Sequence, residues 1–285
     1  MNLAASTAAR RRAFCAASLA TLLMPSGPAS ADAPGTSAAS AAAAELGSTG
    51  RLRAAINFGN PILARRGDKP GEPQGVSVDL AREAARRLGL ALELVEFDAA
   101  GKVVEAVKAR QVDLAFVAID PVRGADMDYT APYVIIEGAY LVRADSPLQR
   151  NEQVDRAGTR VAAGRGSAYD LYLTRELKAA SLERAPTSPD VTDYFLAHQL
   201  EVAAGVRQQL EADQRRLAGT NAPALRLLPG RFMVIEQAMA VPKGRVAAQA
   251  WLSAFIEEMK GSGFVAESLK RHGIQGAAVA PKAGE

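Results

Sequence analysis

The sequence predicts an α/β protein in which helices cover mainly parallel β-sheets. From residue 52 onward, short apolar segments alternate with amphipathic segments, which is the pattern of strands followed by helices. The continuous apolar run that ends at Ala118 is typical of a strand buried on both faces. With 285 residues, 48% of them hydrophobic and 23% charged, the chain has a globular composition and is long enough for one large or two small domains.

The first 31 residues have the order of a secretory signal: a basic segment, a short apolar segment and a small-residue cleavage site. The apolar segment has about ten residues, too few to span a bilayer. Arg11, Arg12 and Phe14 form an Arg-Arg-x-Phe sequence, which also fits a twin-arginine signal, so two export routes stay open. We expect a cleaved signal over 1–31 and a periplasmic protein.

The basic charge of the chain comes from this same segment. Lysine and arginine number 34 against 31 acidic residues, and the three arginines within 1–31 account for the excess. Nucleic-acid binding needs a basic domain or stripe, so the neutral remainder argues against that class. Cys15, the only cysteine, also lies in the signal, and two histidines are too few for a His-based zinc site. No cofactor or metal is expected.

The first half of the body contains one predicted βαβαβ unit. Residues 32–47, rich in Ala and Ser, show no apolar periodicity and are predicted to be a flexible lead-in. Gly89 ends the first predicted helix, whose apolar residues recur at helical spacing. The predicted strands are Leu52–Asn57, Leu90–Phe97 and Asp113–Ala118, and the predicted helices are Ser77–Leu88 and Lys102–Ala109.

A second unit begins after the turn signal at 145–147. The last two predicted helices carry aromatic residues on apolar faces, where we expect them to belong to the core. The predicted strands are Thr159–Ala163, Glu201–Gly205, Leu225–Leu228 and Phe232–Val241, and the predicted helices are Ala168–Lys178, Val191–His198, Val206–Arg216, Val246–Lys260 and Phe264–Arg271.

Several motifs, taken in this order and spacing, resemble the periplasmic solute-binding proteins of ABC importers, of the amino-acid-binding type (family 3). They are Gly75-Val76-Ser77-Val78-Asp79-Leu80, Val112-Asp113-Leu114-Ala115, Asp128-Tyr129-Thr130-Ala131-Pro132-Tyr133, Gly164-Arg165-Gly166-Ser167 and Val241-Pro242-Lys243-Gly244. The resemblance covers 52–273 and implies the two-lobed type II periplasmic-binding-protein fold, in which two hinge strands join lobes of mainly parallel sheet flanked by helices. The implied bounds are 48–142 plus 235–280 for lobe 1, 147–230 for lobe 2 and 281–285 for a tail.

The resemblance also implies a function. The implied protein is monomeric and is not an enzyme. It captures a small carboxylate-bearing solute, an amino acid or related organic acid, by hinge closure and delivers it to an ABC permease. Two alternatives are a periplasmic enzyme on the same scaffold, similar to cyclohexadienyl dehydratase, and a ligand-binding component of a sensor. The sequence shows no paired carboxylates, nucleophile–histidine pair or metal cluster that would favour catalysis.

In the family, an arginine clamps the ligand carboxylate, and the resemblance places Arg123 close to that position. A guanidinium offers a bidentate fork that matches a carboxylate. Gly166, Ser167 and Ala168 precede a lobe 2 helix, where family members present N–H groups and a hydroxyl to the same carboxylate; Ser167 also suits a helix N-cap. Tyr169 follows and is expected to line the cleft.

Other candidate contacts in lobe 1 each have a second interpretation. Asn57, Phe58 and Asn60 follow the first strand, where the family places a ligand contact, although Asn60 and the following proline also signal a turn. Asp120 either contacts the ligand or caps the next turn. Glu137 lies in an apolar stretch near the hinge and either binds a cationic group or points to water.

The segment 201–207 departs from the family pattern. Amino-acid binders carry an aspartate there that pairs with the ligand's α-ammonium, whereas this chain has Val206 with Arg207 beside it. A buried ammonium opposite Val206 would have no partner, which is costly. Either Glu137 or Asp120 replaces that aspartate, or the ligand has no α-ammonium. Arg207 either faces the cleft and suits a second anionic group, or is solvated.

Overall fold

Helices and strands alternate along the chain, as the sequence pattern predicts. A computed structural model describes residues 34–67, 69 and 72–284; the predicted signal and its cleavage site lie outside them. The helices are α1 (Pro34–Leu46), α2 (Val76–Leu88), α3 (Ala100–Lys108), α4 (Ala168–Glu176), α5 (Val191–Ala197), α6 (Arg207–Leu217), α7 (Val246–Gly261) and α8 (Phe264–Arg271). The strands are β1 (Arg51–Asn57), β2 (Ala91–Phe97), β3 (Ala115–Ala118), β4 (Met127–Arg143), β5 (Arg160–Gly164), β6 (Ser181–Ala185), β7 (Val202–Val206), β8 (Leu225–Leu227), β9 (Met233–Pro242) and β10 (Ala278–Val279).

A parallel pair of strands, β1 and β2, opens the body of the protein. The pair is in register from Arg51 opposite Ala91 to the ends of both strands, and α2 makes the crossover between them. Next to β1 runs the segment that leads into β3, since the N–H of Ala55 donates to the carbonyl of Leu114 at 2.8 Å. The carboxyl ends of β1 and β3 therefore come together at one edge.

The larger sheet has the strand order β3-β9-β4-β7-β5-β6, with β8 and β10 also paired to β4. Strand β4 is 17 residues long and changes its pairing along its length. Its first part runs antiparallel to β9 as far as Gly138 opposite Met233, and from Gly138 to Leu141 it runs antiparallel to β7. Strands β5, β6 and β7 are parallel to one another. Strand β4 thus belongs to both halves of the protein.

The sequence pattern did not predict strands β4 and β6. Strand β4 shifts register between Tyr129 and Pro132 and again between Pro132 and Val134. These irregularities break the alternation by which a strand is recognised. Strand β6 lies at the sheet edge and reads Ser-Leu-Glu-Arg-Ala, with a half-exposed middle, so it has no apolar run. The other predicted helices and strands are confirmed within a few residues at their ends.

The prediction of a flexible lead-in over 32–47 is wrong for its described part, which forms α1. Leu46 is fully buried, and the carboxylate of Glu45 accepts from the N–H of Ala248 in α7 at 2.8 Å. The carbonyl of Glu45 also accepts from Arg245. Alanine has the highest helix propensity. The small side chain of alanine lets α1 lie close to α7. The helix therefore lacks the wide stripe of large apolar residues by which an amphipathic helix is recognised in a sequence.

A buried carboxylate joins β1 to the start of α7. Asp113 has no exposed surface. Its Oδ2 accepts from Nε of Arg53 at 2.8 Å, and its Oδ1 accepts from Nη1 of Arg245 at 3.0 Å. Because all three groups are largely withdrawn from water, removal of the carboxylate leaves two cations without their partner.

We expect Asp113→Ala to lower the free energy of unfolding by about 3–5 kcal/mol, because it removes one member of a buried charge network. Glu93→Ala is the matched control. Glu93 of β2 pairs with Arg51 of β1, but that pair is exposed, so the expected loss is under about 1 kcal/mol. Urea unfolding of both variants measures the difference, and equal losses would contradict it.

Candidate ligand-binding site

A small cavity lies where β1, β3 and β9 meet the start of α4. Its volume is about 30 Å³, room for about one or two water molecules. Among the described residues that line it, one is charged, Arg123, and none is acidic. The full lining is Asn57, Gly59, Asn60, Ala100, Val117, Ala118, Arg123, Ser167, Ala168, Tyr169, Ser188, Val206, Ile235 and Gln237.

The side chain of Arg123 enters this cavity from the short turn that follows β3, and only 3% of its surface is exposed. Its Nη2 donates to the carbonyl of Gly166 at 2.8 Å and its Nη1 to the carbonyl of Ala118 at 3.2 Å. Its Nε has no partner. Burial lowers the pKa of Arg123, and nearby Tyr129 and Asp120 oppose that shift. A guanidinium so buried, oriented by neutral carbonyls, favours an anion as its missing partner.

The loop between β5 and α4 forms the opposite wall. Gly166 has φ 67°, a left-handed conformation that favours glycine. Ser167 caps α4: its Oγ accepts from the N–H of Asp170 at 3.1 Å. The carboxylate of Asp170 in turn accepts from the N–H of Gly166 at 2.8 Å. Ala168, the first residue of α4, lines the cavity, so the positive end of the helix dipole faces it.

Three buried polar atoms at the cavity have no hydrogen-bond partner: Nε of Arg123, Oδ1 of Asn60 and the hydroxyl of Tyr169. Burial holds the pKa of Tyr169 well above its usual value, so this hydroxyl keeps its proton and can donate. Roughly nine in ten buried polar groups in proteins are hydrogen-bonded. Three unpartnered atoms on residues that line one cavity therefore indicate that a small polar group belongs in this place.

The sequence profile of the bacterial extracellular solute-binding proteins, family 3, matches residues 52–275 of the chain. The chain belongs to this family.

Solved structures of family-3 type proteins share the fold. The solute receptor for L-cysteine of Neisseria gonorrhoeae is 20% identical, with a TM-score of 0.69, over 81% of this chain and 92% of that chain. A binding component of an ABC transporter from Wolinella succinogenes, complexed with lysine, is 21% identical, with a TM-score of 0.66, over 78% and 95%. No curated protein matches the chain in sequence. The predicted two-lobed type II periplasmic-binding-protein fold is confirmed.

An ancestral amino-acid-binding protein, described as a precursor of cyclohexadienyl dehydratase, also shares the fold of this family-3 protein. It is 19% identical, with a TM-score of 0.66, over 80% of this chain and 98% of that chain.

Within the part of the chain that the structure describes, no group of His, Cys, Asp or Glu is arranged to hold a metal ion. The helices of that part are all too short or too polar to cross a membrane.

Most of the predicted site residues come together in this family-3 protein. Gly166 contacts Arg123 through its carbonyl. The other predicted residues at the cavity are Asn57, Asn60, Arg123, Ser167, Ala168 and Tyr169. Phe58, Asp120, Glu137 and Arg207, which were also predicted to contact the ligand, do not line the cavity.

Asp120 and Phe58 are engaged elsewhere. Asp120, 4% exposed, caps the turn that follows β3, because its Oδ1 accepts from the N–H of Val122 at 2.9 Å. Its Oδ2 accepts from Nη1 of Arg175 in α4 at 3.0 Å. The ring of Phe58 packs in the core, with the guanidinium of Arg66 4.6 Å from its centroid. Of the two interpretations of Asp120, the observed contact with Val122 agrees with a residue that caps the next turn.

Glu137 and Arg207 pair with each other, in contrast to the prediction that they face the ligand. Oε2 of Glu137 accepts from Nε of Arg207 at 3.0 Å, and Oε1 accepts from Nη1 of Arg231 at 3.0 Å. Burial opposes ionisation, but the hydrogen bonds from Arg231 and Arg207 hold the pKa of Glu137 below its usual value. Arg207 also donates to the carbonyl of Gly230. Glu137 is thus paired with two arginines, and none of the three residues lines the cavity.

Ser188 and Gln237 also line the cavity and were missed from the sequence. Gln237 is 5% exposed and lies within the apolar strand β9, and an amide in such a strand was a usable signal of a polar site. Ser188 lies in the loop between β6 and α5, in the sequence Pro-Thr-Ser-Pro, which looks like any surface loop.

We expect Arg123→Met to raise the stability of the ligand-free protein by about 1 kcal/mol, or about 2–4 °C in Tm, because a long apolar side chain replaces a buried cation whose hydrogen bonds go only to neutral carbonyls. Arg53→Met is the control. It removes an arginine that pairs with buried Asp113, and we expect it to lower Tm. Thermal unfolding measures both variants, and a lower Tm for Arg123→Met would show that Arg123 is compensated after all.

Proposed function

We propose that the protein is an extracytoplasmic solute-binding protein that captures a small carboxylate-bearing solute and delivers it to an ABC permease. The observation that carries this proposal is Arg123, a buried guanidinium with an unpartnered Nε in a cavity whose described lining contains no acid. The start of α4 faces the same space. The receptor from Neisseria gonorrhoeae is named for L-cysteine and the component from Wolinella succinogenes is complexed with lysine, and both of these ligands carry a carboxylate.

We further propose that 48–142 plus 235–280 form lobe 1, that 147–230 form lobe 2, and that the solute is trapped as the lobes close. The change of partner in β4 supports this division, since β4 leaves β9 and joins β7 at Gly138. Residues 233–237 of β9 run opposite this point and form the second crossing. Closure by rotation about a few such residues is a known mode of capture.

Two hydrogen bonds join the proposed lobes beside the cavity. Arg123 donates to Gly166 at 2.8 Å, and Arg175 donates to Asp120 at 3.0 Å. In both cases the turn that follows β3 is bonded to α4 or to the loop that precedes it. A carboxylate bound to Arg123 would also meet the start of α4, so the solute would strengthen the same junction. Binding and closure are thereby coupled.

Catalysis on this scaffold is the weaker alternative. Acid–base chemistry needs a titratable group near the reacting atoms. The described lining offers no carboxylate and no histidine, and burial keeps the hydroxyl of Tyr169 protonated. We therefore propose a binding protein without enzymatic activity. We also propose that it is a periplasmic monomer, which agrees with the secretory pattern of residues 1–31.

The first test is a ligand screen of the mature protein by thermal shift, with amino acids, hydroxy acids, oxo acids and dicarboxylates. We expect at least one carboxylate to raise Tm, by an amount equal to about 2.7 kcal/mol at a hundred times its Kd. In Arg123→Met the binding free energy should weaken by about 2–5 kcal/mol, because the anion loses its cation, so the stabilisation at the same solute concentration should fall below about 1 kcal/mol. Arg165→Ala is the control, since Arg165 is exposed on the neighbouring loop. An unchanged response in Arg123→Met would disprove the carboxylate clamp.

The second test addresses the junction between the lobes. Arg175→Gln should raise Kd about two- to fivefold, chiefly through faster dissociation, because the pair with Asp120 is half-exposed on the arginine side. Arg216→Gln is the control: its partners Asp193 and Asp213 lie within the same proposed lobe, so Kd should not change. Stopped-flow release of the solute distinguishes the two. Equal dissociation rates in both variants would contradict a role of this pair in closure.

A further inference from the structure

We infer that the solute is a small carboxylic acid whose remaining groups carry no positive charge, such as a hydroxy acid or an oxo acid, and is not a zwitterionic amino acid. This inference rests on the proposed function and narrows the class of solute. It follows from two observations: a cation lines the cavity, and the neighbouring carboxylates are paired with arginines.

The described lining of the cavity offers one cation and no anion. Arg123 can bind a carboxylate, but the remaining polar side chains are neutral amides and hydroxyls, among them Asn60, Ser188 and Gln237. An ammonium in this space would be taken out of water without a negative partner. The cost of burying a charge in that way reaches several kcal/mol.

The carboxylates next to the cavity already have cationic partners. Asp120 is bound to Arg175 at 3.0 Å. Asp170 follows the cavity residue Tyr169 and is bound to Arg184 at 2.9 Å. The third, Glu137, is bound to two arginines, as described above. If one of these carboxylates turned to a ligand ammonium, its arginine would lose its partner. The ion pairs therefore hold these acids away from the solute.

The backbone adds positive potential to the same space. Helices α3 and α4 begin at Ala100 and Ala168, which line the cavity, and α6 begins directly after the lining residue Val206. The N-terminal end of a helix carries a partial positive charge that favours anions and disfavours cations. Two of these ends lie in the cavity wall and the third adjoins it, so the backbone opposes an ammonium and favours a carboxylate.

The unpartnered atoms fit an acid with an uncharged polar substituent. Nε of Arg123 and the hydroxyl of Tyr169 are donors that a carboxylate can satisfy, and Oδ1 of Asn60 is an acceptor that a hydroxyl can satisfy. An amide oxygen accepts a hydrogen bond from an ammonium as well, but it carries no charge to neutralise it. The apolar side chains of Val117, Val206 and Ile235 complete the wall and suit a short carbon skeleton.

The test compares acids that share a carbon skeleton: glycolate, glyoxylate and glycine, and then lactate, pyruvate and alanine, extended to longer members of each series. Titration calorimetry of the mature protein should show that the best hydroxy or oxo acid binds more than about 100-fold more tightly than the matching amino acid. Equal or tighter binding of the amino acid would overturn this inference and leave the proposed function intact. Failure of every carboxylate to bind would overturn both.

A variant tests the physical reason. Val206→Asp places an acid in the cavity wall, and we expect it to raise affinity for the amino acid by about tenfold or more while lowering affinity for the hydroxy acid. Val206→Asn is the control, since it has a similar shape without the charge. An equal gain in Val206→Asn would contradict the charge argument. If Val206→Asp does not fold, the comparison of matched acids on the unaltered protein still decides.

Discussion

The buried guanidinium of Arg123 is the interaction on which the site depends. It is oriented by the carbonyls of Ala118 in β3 and Gly166 in the loop before α4. Carbonyl dipoles fix the direction of an arginine without neutralising it, whereas a carboxylate in the same place would consume its charge. The protein therefore keeps a cation out of water and leaves it available. Such an arrangement costs stability, and it persists at binding sites because the ligand supplies what the protein omits.

The ion pairs around the cavity make this possible. Asp120, Asp170 and Glu137 are each bound to an arginine of their own. Without these arginines the three carboxylates would add uncompensated negative charge next to the site. The surrounding pairs thus isolate one charge by satisfying all the others. The pattern explains why the acids that look suitable for a ligand are absent from the described lining of the cavity.

The sequence could predict which residues lie near the cavity, but not which of them line it. Asn57, Arg123 and Tyr169 were predicted from the resemblance to the family, which places ligand contacts after the first strand, at an arginine clamp and at the start of a lobe 2 helix. The pairing of Glu137 with Arg207 joins β4 to α6 and has no periodic signal. Strand β4 was missed because its bulges break the alternation. Helix α1 was missed because alanine packs closely without an amphipathic stripe.

The groups that we propose to hold the carboxylate and those that we propose to surround the rest of the solute lie on different elements. Arg123 follows β3 and Ser167 precedes α4, whereas Val206 ends β7 and Ile235 belongs to β9. A change in the second set therefore leaves the clamp for the acid group untouched. In a space with two helix N-termini in its wall and a third next to it, the presence or absence of one wall carboxylate is enough to decide whether a cation is accepted. The described wall contains no carboxylate, and we infer that this absence excludes solutes that carry a positive charge.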